Sequence, residues 1–192
     1  MQTKQVLLVL TDKWVDWEAA YAIAEINLSS DYSITTVAVD LEPKVSIGGI
    51  RAGVGSLVTD WQDFSDVAMV IMPGGYTWED HDYPEIAELV REAMAQAVPV
   101  AAICAATTWL AGHGFLNDIR HTGEDISLMQ EQPGYAGALF YLEAQVVVDG
   151  GFITANETAA VEFAYEIIRT LALMPEEQSS DWLHDYRDGL FR

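Results

Sequence analysis

A lone cysteine lies where the chain is expected to turn abruptly from a strand into a helix. Cys104 follows the apolar run 98–103 and precedes a helical pattern that begins at Thr107. Alanine occupies both second-neighbour positions, Ala102 and Ala106, and a nucleophile elbow needs small residues there because its two backbones approach closely. The positive N-terminus of the following helix favours thiolate over thiol. Cys104 is therefore a candidate nucleophile, and the alternative that stays open is a small buried hydrophobic residue.

Two further segments end predicted strands at the same edge of the sheet. The loop 11–18 contains Asp16 and Glu18, and either carboxyl group could reach Cys104, because sites in α/β proteins form at this edge. For Asp16 we favour a simpler role as a negative charge at the start of a helix. The sequence Pro-Gly-Gly at 73–75 ends another strand, and glycines there let backbone N–H groups face a bound anion or an oxyanion.

An imidazole could supply the acid or base that such a site needs. His121 follows Cys104 in a polar loop that a parallel sheet could return to its active edge, where it would relay a proton. An equal alternative is a loop histidine bonded to Glu124 or Asp125. The other histidines are interpreted as a helix cap, at position 113, and as surface residues, at positions 81 and 184.

Alternating strands and helices must position these groups. The unbroken apolar run 5–10 is typical of a central strand that is covered on both faces. Further strands are predicted at 33–39, 67–72 and 98–103, and helices at 17–28, 83–96, 107–112 and 158–173. Hairpins are predicted within 43–60 and from 141 to 155, and a docked helix is predicted in the tail 176–192, which includes Phe191. This order predicts an α/β fold, a three-layer α/β/α sandwich around a mainly parallel sheet.

Composition limits the classes of partner. The 192 residues, 51% of them hydrophobic, fit one domain spanning 1–192. Nine basic against 30 acidic residues give a net charge of −21, which disfavours nucleic acid and membrane surfaces as partners and is typical of a highly soluble protein. A single cysteine forms no internal disulfide and no structural zinc site. We therefore expect a cytoplasmic protein with neither a metal nor a cofactor.

Several motifs together resemble the DJ-1/PfpI superfamily, also called ThiJ/PfpI, and the resemblance covers nearly the whole chain. They are, in order, Glu18, the Pro-Gly-Gly at 73–75, the A-I-C-A-A elbow around Cys104, G-F-L-N-D-I-R-H-T-G at 114–123 and D-G-G-F-I-T-A at 149–155. The resemblance implies a flavodoxin-like sandwich related to class I glutamine amidotransferase domains.

The resemblance also implies roles for individual residues. Cys104 corresponds to the reactive nucleophile, and Glu18 to a carboxyl group that is protonated part of the time and hydrogen-bonds the thiolate. Gly75 and Ala105 correspond to the two backbone N–H donors of an oxyanion hole. His121 matches only within one residue the position where some members carry a tyrosine or a histidine.

Two functions from different classes are compatible with these residues. The first is a hydrolase or lyase type of enzyme that acts on a small carbonyl or amide compound through the Cys104 thiolate supported by Glu18. The alternative is a redox-sensing or stress-response protein whose cysteine is oxidised to sulfinate without turnover. A peptidase is not expected, because Ala105 stands where protease-like members have a histidine. A glutaminase is not expected either, because no late His-x-Glu pair follows.

The walls of a substrate pocket and the oligomeric state follow less directly. Aromatic residues near the motifs could line a pocket for a small molecule together with Gly74; these are Trp14, Trp17, Tyr76, Trp78 and Trp109. Six tryptophans and eight tyrosines exceed what one core of this size needs, and members of the superfamily commonly pair. We therefore expect a homodimer.

Overall fold

The computed structural model describes residues 3–190. Its strands are β1 (Lys4–Val9), β2 (Tyr32–Ala38), β3 (Lys44–Val45), β4 (Arg51–Ala52), β5 (Ser56–Leu57), β6 (Val67–Met72), β7 (Val100–Ile103), β8 (Val146–Asp149) and β9 (Phe152–Ala155). Its helices are α1 (Asp16–Leu28), α2 (Thr77–Asp80), α3 (Pro84–Ala95), α4 (Ala105–Gly112), α5 (Ile126–Gln130), α6 (Ala160–Thr170) and α7 (Glu176–Asp188). Within residues 3–190 every helix is too short or too polar to cross a bilayer.

Seven of these strands form one sheet in the order β5-β2-β1-β6-β7-β9-β8. All neighbours are parallel except β8, which pairs with β9 antiparallel as the edge hairpin. The central strands are buried along most of their length, which explains their unbroken apolar sequences. The mainly parallel sheet predicted from the sequence is confirmed.

Helices cover both faces of this sheet in a flavodoxin-like three-layer sandwich, as predicted. Helix α1 packs against α6, and α6 packs against α7. Helices α2 and α5 pack against α4, which follows β7 directly. The apolar face of α6 buries Phe163, Ile167 and Ile168, and each large side chain of this kind contributes roughly 1.5–3 kcal/mol when it leaves water.

Three segments differ in detail from the sequence prediction. The region 43–60 forms a separate two-stranded hairpin, β3 with β4, and then adds β5 to the edge of the main sheet. The polar stretch 118–137 contains the short helix α5. Strand β8 begins at Val146 rather than at Tyr141, because Tyr141 pairs instead with His121 in an isolated bridge. The tail forms helix α7 as predicted, and Phe191 lies outside the described residues.

Candidate active site

Cys104 occupies a strained turn between β7 and α4. Its backbone angles are φ 59° and ψ −135°, a conformation that costs a non-glycine residue about 1–3 kcal/mol. Ala102 and Ala106 on either side are fully buried, so larger side chains would not fit there. The Cys104 N–H is held by the Ala155 carbonyl at 3.0 Å, which ties the turn to β9. The nucleophile elbow predicted from the sequence is therefore present.

Glu18 projects from the first turn of α1 to the same point. Its side chain is buried and contacts the side chain of Cys104. Its Oε2 accepts a hydrogen bond of 2.6 Å from the Gly74 N–H. Burial raises the pKa of Glu18 to about 7, and the Gly74 N–H opposes this rise only in part. A carboxyl group with this pKa can both accept and donate a proton near neutral pH.

Asp16, the other acidic residue in this turn of α1, has a structural role. Its carboxylate accepts hydrogen bonds from the Ser46 hydroxyl and, at 3.1 Å, from the Gly48 N–H. These bonds fasten the loop between β3 and β4 to the start of α1. Because Asp16 is occupied in this way, Glu18 is the acidic residue of α1 that reaches Cys104.

The resemblance implies two backbone N–H donors, those of Ala105 and Gly75. The Ala105 N–H forms a hydrogen bond to the Cys104 side chain. Gly75 lies opposite Trp14 in an isolated antiparallel bridge, whose hydrogen bond of 2.9 Å runs from the Val15 N–H to the Gly74 carbonyl. Within residues 3–190 the Gly75 N–H has no backbone partner. Of these two donors, the Ala105 N–H is the one that contacts Cys104, and the role of both in an oxyanion hole stays a prediction.

A second carboxyl group at the sulfur, that of Glu124, was not identified as part of the site from the sequence. The Glu124 carboxyl contacts the side chain of Cys104. Its pKa is raised by burial and by the nearby negative charges of Glu157 and Glu79. Its Oε2 is buried, and none of the residues that the structure describes provides a hydrogen-bond partner for it. Two carboxyl groups, rather than one carboxyl and one imidazole, therefore flank the thiol.

The loop before Glu124 explains why it reaches this position. The Thr122 N–H donates to Thr154 Oγ1 of β9 at 3.0 Å. Gly123 then lies against α4 so closely that a Cβ there would be 2.3 Å from Thr107 Oγ1. This glycine brings the following residue over the N-terminus of α4, where Cys104 lies. The only sequence signal for Glu124 was its place directly after Thr-Gly in the 114–123 motif.

His121 has different partners from those that the sequence suggested. The imidazole is fully buried, with Nδ1 2.8 Å from the Ile119 carbonyl and Nε2 2.8 Å from the Tyr135 hydroxyl. Since a carbonyl only accepts, Nδ1 carries the proton and Nε2 accepts from Tyr135. Burial lowers the pKa of His121, which keeps the ring neutral. Both nitrogens are thus occupied away from Cys104, and neither Glu124 nor Asp125 binds the ring.

The surroundings of Cys104 act on the pKa of its thiol in opposite directions. Burial raises the pKa of the thiol, and the charges of Glu18 and Glu124 raise it further. The Ala105 N–H lowers it by a smaller amount, so the positive end of α4 does not dominate. The net direction is a raised pKa, which favours the thiol over the thiolate and calls for a neighbouring base to remove the proton.

A cavity of about 610 Å³ opens beside this group of residues, a volume that suits a small molecule. Its lining includes Ala105 and Glu124 from the site and the rings of Trp78 and Trp109. The other predicted wall residues lie elsewhere. Trp17 and Tyr76 are 53% and 63% exposed, Trp14 is buried in the bridge to Gly75, and Gly74 lies beneath Cys104 and Glu18 rather than in the cavity wall.

The chain resembles known proteins both in sequence and in structure. YoaZ of Bacillus subtilis strain 168, named an uncharacterized protease, is 32% identical over 190 residues, which cover 95% of this chain and 90% of YoaZ. YdeA of the same organism, also named an uncharacterized protease, is 31% identical over 189 residues, which cover 98% of this chain and 93% of YdeA. Both relatives therefore align with this chain over almost their whole lengths.

Solved structures agree with these sequence relationships. A DJ-1 superfamily protein of Agrobacterium tumefaciens has a TM-score of 0.86 and 31% identity, over 94% of this chain and 96% of the other. A ThiJ/PfpI family protein of Bacillus anthracis has a TM-score of 0.89 and 29% identity, over 97% of this chain and 92% of the other. Residues 4–170 match the sequence profile of the DJ-1/PfpI family. With its elbow cysteine, the glutamate on α1 and this match, the chain belongs to the DJ-1/PfpI family.

Proposed function

We propose that the protein is a cysteine-dependent enzyme that acts on a small carbonyl or amide compound. The observation that carries this proposal is the contact of Cys104 with Glu18, a carboxyl group whose pKa is raised to about 7 by burial. A base with this pKa is suited to remove a proton from a thiol at neutral pH. The adjoining cavity provides room for a substrate, and Ala105 belongs to both the site and the cavity lining.

The first chemical step joins sulfur to the substrate. Glu18 in its carboxylate form takes the proton of the Cys104 thiol while Sγ attacks the carbonyl carbon, so that a C–S bond forms. The electron pair of the carbonyl π bond moves to oxygen, and the N–H groups of Ala105 and Gly75 bind the resulting oxyanion. With an aldehyde or ketone the product of this step is a hemithioacetal or hemithioketal once the oxygen is protonated.

With an amide the reaction continues by expulsion of the amine. Glu18, now protonated, gives its proton to the amide nitrogen, the C–N bond breaks and a thioester remains on Cys104. Water then attacks the thioester, with Glu18 again as the base, and the acid product leaves as the thiol is restored. Glu124, the other carboxyl group at the sulfur, helps to orient the substrate and raises the pKa of the thiol.

The resting thiol favours this enzyme over a redox sensor. Oxidation to sulfinate follows thiolate character and exposure, and here burial and two carboxyl groups raise the pKa of Cys104. Proteolysis, which the names of YoaZ and YdeA mention, fits the site less well than small-molecule chemistry. Its substrate would have to reach Cys104, a residue that is only 9% exposed.

The test is a turnover panel of small dicarbonyls, aldehydes and amides, with a casein digest as the peptide substrate. We expect turnover of at least one small compound by the wild type, loss of this activity in Cys104→Ser, and an adduct on Cys104 in the intact mass. Mild peroxide is added in a parallel sample. A stoichiometric gain of two oxygens on Cys104 with no turnover on the panel would replace the proposal with the sensor, and cleavage of casein alone would replace it with a peptidase.

A further inference from the structure

The cavity beside Cys104 has a strongly one-sided charge. Its lining contains five carboxylate side chains and neither lysine nor arginine; the acidic residues are Glu79, Asp80, Asp82, Glu124 and Glu131. His81 and His113 are the basic side chains in the lining, and His113 has Asp82 as a neighbour at 3.3 Å. A cleft lined by one sign of charge concentrates molecules of the opposite sign.

A buried polar group on a residue that lines the same cavity lacks a partner among the residues that the structure describes. Thr108 lies one turn of α4 after Cys104, lines the cavity and is only 7% exposed. Across residues 3–190 its Oγ1 has no hydrogen-bond partner, and the same holds for the buried Oε2 of Glu124 in the same lining. Buried polar atoms are normally satisfied, so a hydroxyl and a carboxylate oxygen in one cavity indicate a ligand that brings hydrogen-bond donors.

The aromatic wall of the cavity supplies no hydrogen-bond donor that could compete with a donor on the ligand. Trp78 and Trp109 are packed against each other with ring centroids 5.1 Å apart. Their indole N–H groups are bound to backbone carbonyls, that of Trp78 to Pro73 and that of Trp109 to Asp82, each at 2.9 Å. Both rings are more than nine-tenths buried, and their N–H groups are therefore not available as donors to a ligand.

We infer that the cavity binds an organic cation, so that the substrate of the proposed reaction carries an ammonium, guanidinium or amidinium group beside its carbonyl or amide. The statement that the bound cation is a substrate rests on the proposed function, whereas the preference for a cation rests on the cavity alone. A metal ion does not account for the acidic lining. In the part of the chain that the structure describes, no three carboxyl, imidazole or thiol groups are placed to hold one.

The binding test uses three probes of nearly equal size and shape, namely benzamidinium, benzamide and benzoate. They are titrated into Cys104→Ser, which lacks the thiol, and none of the three probes has a group that the weaker serine hydroxyl would cleave, so the measurement reports the cavity and not the chemistry. We expect benzamidinium to bind at least about tenfold more tightly than benzamide, and benzoate to bind weakest, by isothermal titration calorimetry at low salt. Equal affinity for the three probes, or tighter binding of benzoate, would overturn the inference.

A pair of matched variants separates the cavity from the overall charge of −21. Glu79→Gln with Glu131→Gln removes two charges from the cavity lining, and Glu176→Gln with Glu177→Gln removes two exposed charges from α7. Both are made in the Cys104→Ser background. Only the first pair is expected to abolish the preference for benzamidinium over benzamide. An equal loss in both pairs would show a general electrostatic effect and overturn a site for cations in the cavity.

The contribution of Thr108 is tested with Thr108→Val, which keeps the shape of the side chain and removes the hydroxyl. We expect weaker binding of benzamidinium by about threefold to tenfold, the effect of one hydrogen bond. Failure of the two proposals can be told apart. Selective binding of benzamidinium without turnover by the wild type would overturn the enzyme and keep the cation site, and turnover of neutral amides without any cation preference would do the reverse.

Discussion

Gly74 lies so close to Cys104 that a Cβ built on the glycine would be 2.7 Å from Cys104 Cβ and 3.0 Å from Sγ. The same Cβ would be 2.8 Å from Oε2 of Glu18. Gly74 also donates its N–H to that oxygen. One residue without a side chain therefore permits the thiol and the carboxyl group to meet, and the Pro-Gly-Gly sequence has a spatial role as well as a role in the turn.

Gly74→Ala is expected to separate the thiol from its base. The added methyl group must displace Cys104 or Glu18, and a displacement of about 1 Å at a reacting group costs roughly a hundredfold in rate. Turnover on the identified substrate, corrected for folded protein by circular dichroism, is the measurement. The control is Gly53→Ala, where a Cβ meets nothing within 4 Å. Unchanged turnover in Gly74→Ala would show that the close contact is not needed for catalysis.

The rate of the proposed reaction should follow the ionisation of Glu18. Because the base must be a carboxylate, kcat/KM is expected to rise with pH through about 7, the pKa to which burial raises this group. Glu18→Gln retains an oxygen for the Gly74 N–H but cannot take a proton. It should lower kcat by about 10² to 10⁴ and remove the inflection near pH 7. An inflection that persists in the variant would assign it to another group.

The same carboxyl group should make folding stability depend on pH. Glu18 binds its proton more tightly in the folded chain, at a pKa of about 7, than in the unfolded chain, near 4.5. Its contribution is therefore fully present below pH 4.5 and is lost as pH rises through 7, by roughly 3 kcal/mol at most. Urea unfolding from pH 4.5 to 8 measures this loss, and Glu18→Gln should show a flatter profile. Parallel profiles for the two proteins would contradict the burial of an ionisable Glu18.

Glu124 and His121, from one loop, are expected to respond differently to substitution. Glu124→Gln removes a negative charge that lies beside the sulfur, and it should shift Cys104 alkylation by iodoacetamide to lower pH.

His121→Ala should leave the pH profile of Cys104 alkylation unchanged. It should destabilise the fold by about 2–4 kcal/mol, because a buried ring and two hydrogen bonds are lost. Turnover of the folded His121→Ala protein is expected near wild type. A hundredfold loss would support the proton relay suggested by the sequence.

The homodimer expected from the sequence stays a prediction. Some of the aromatic residues beyond the needs of the core do lie at the surface, since Trp17 is 53% and Tyr186 is 51% exposed. Light scattering at micromolar concentration should give twice the mass of 21.2 kDa. A monomer under these conditions would contradict the prediction.

The elbow and Glu18 could be predicted from the sequence because each depends on local features. Small residues at Ala102 and Ala106 and the abrupt change from strand to helix pattern define the turn at Cys104. Glu18 follows a central strand, and every such loop reaches the same edge of a parallel sheet. Short-range rules and one topological rule were therefore sufficient for these two residues.

Glu124 could not be predicted in the same way because its position depends on contacts between distant residues. The Thr122 N–H is bound by Thr154, and Gly123 is packed against Thr107. None of these partners is near in sequence. In this loop the sequence favoured His121 as the candidate site residue, and Glu124 was considered only as its partner. The pocket walls were uncertain for a similar reason. The sequence offered five aromatic residues, and tertiary packing placed only Trp78 and Trp109 at the cavity.

The backbone of Cys104 has a consequence for how this chain tolerates change. At φ 59° a glycine is unstrained, whereas every other residue pays for the conformation. The substitution that best relieves the turn is therefore the one that removes the nucleophile. Replacement of Cys104 by glycine is therefore one change that selection for thermal resistance alone would favour, so that stability and reactivity are opposed at this residue.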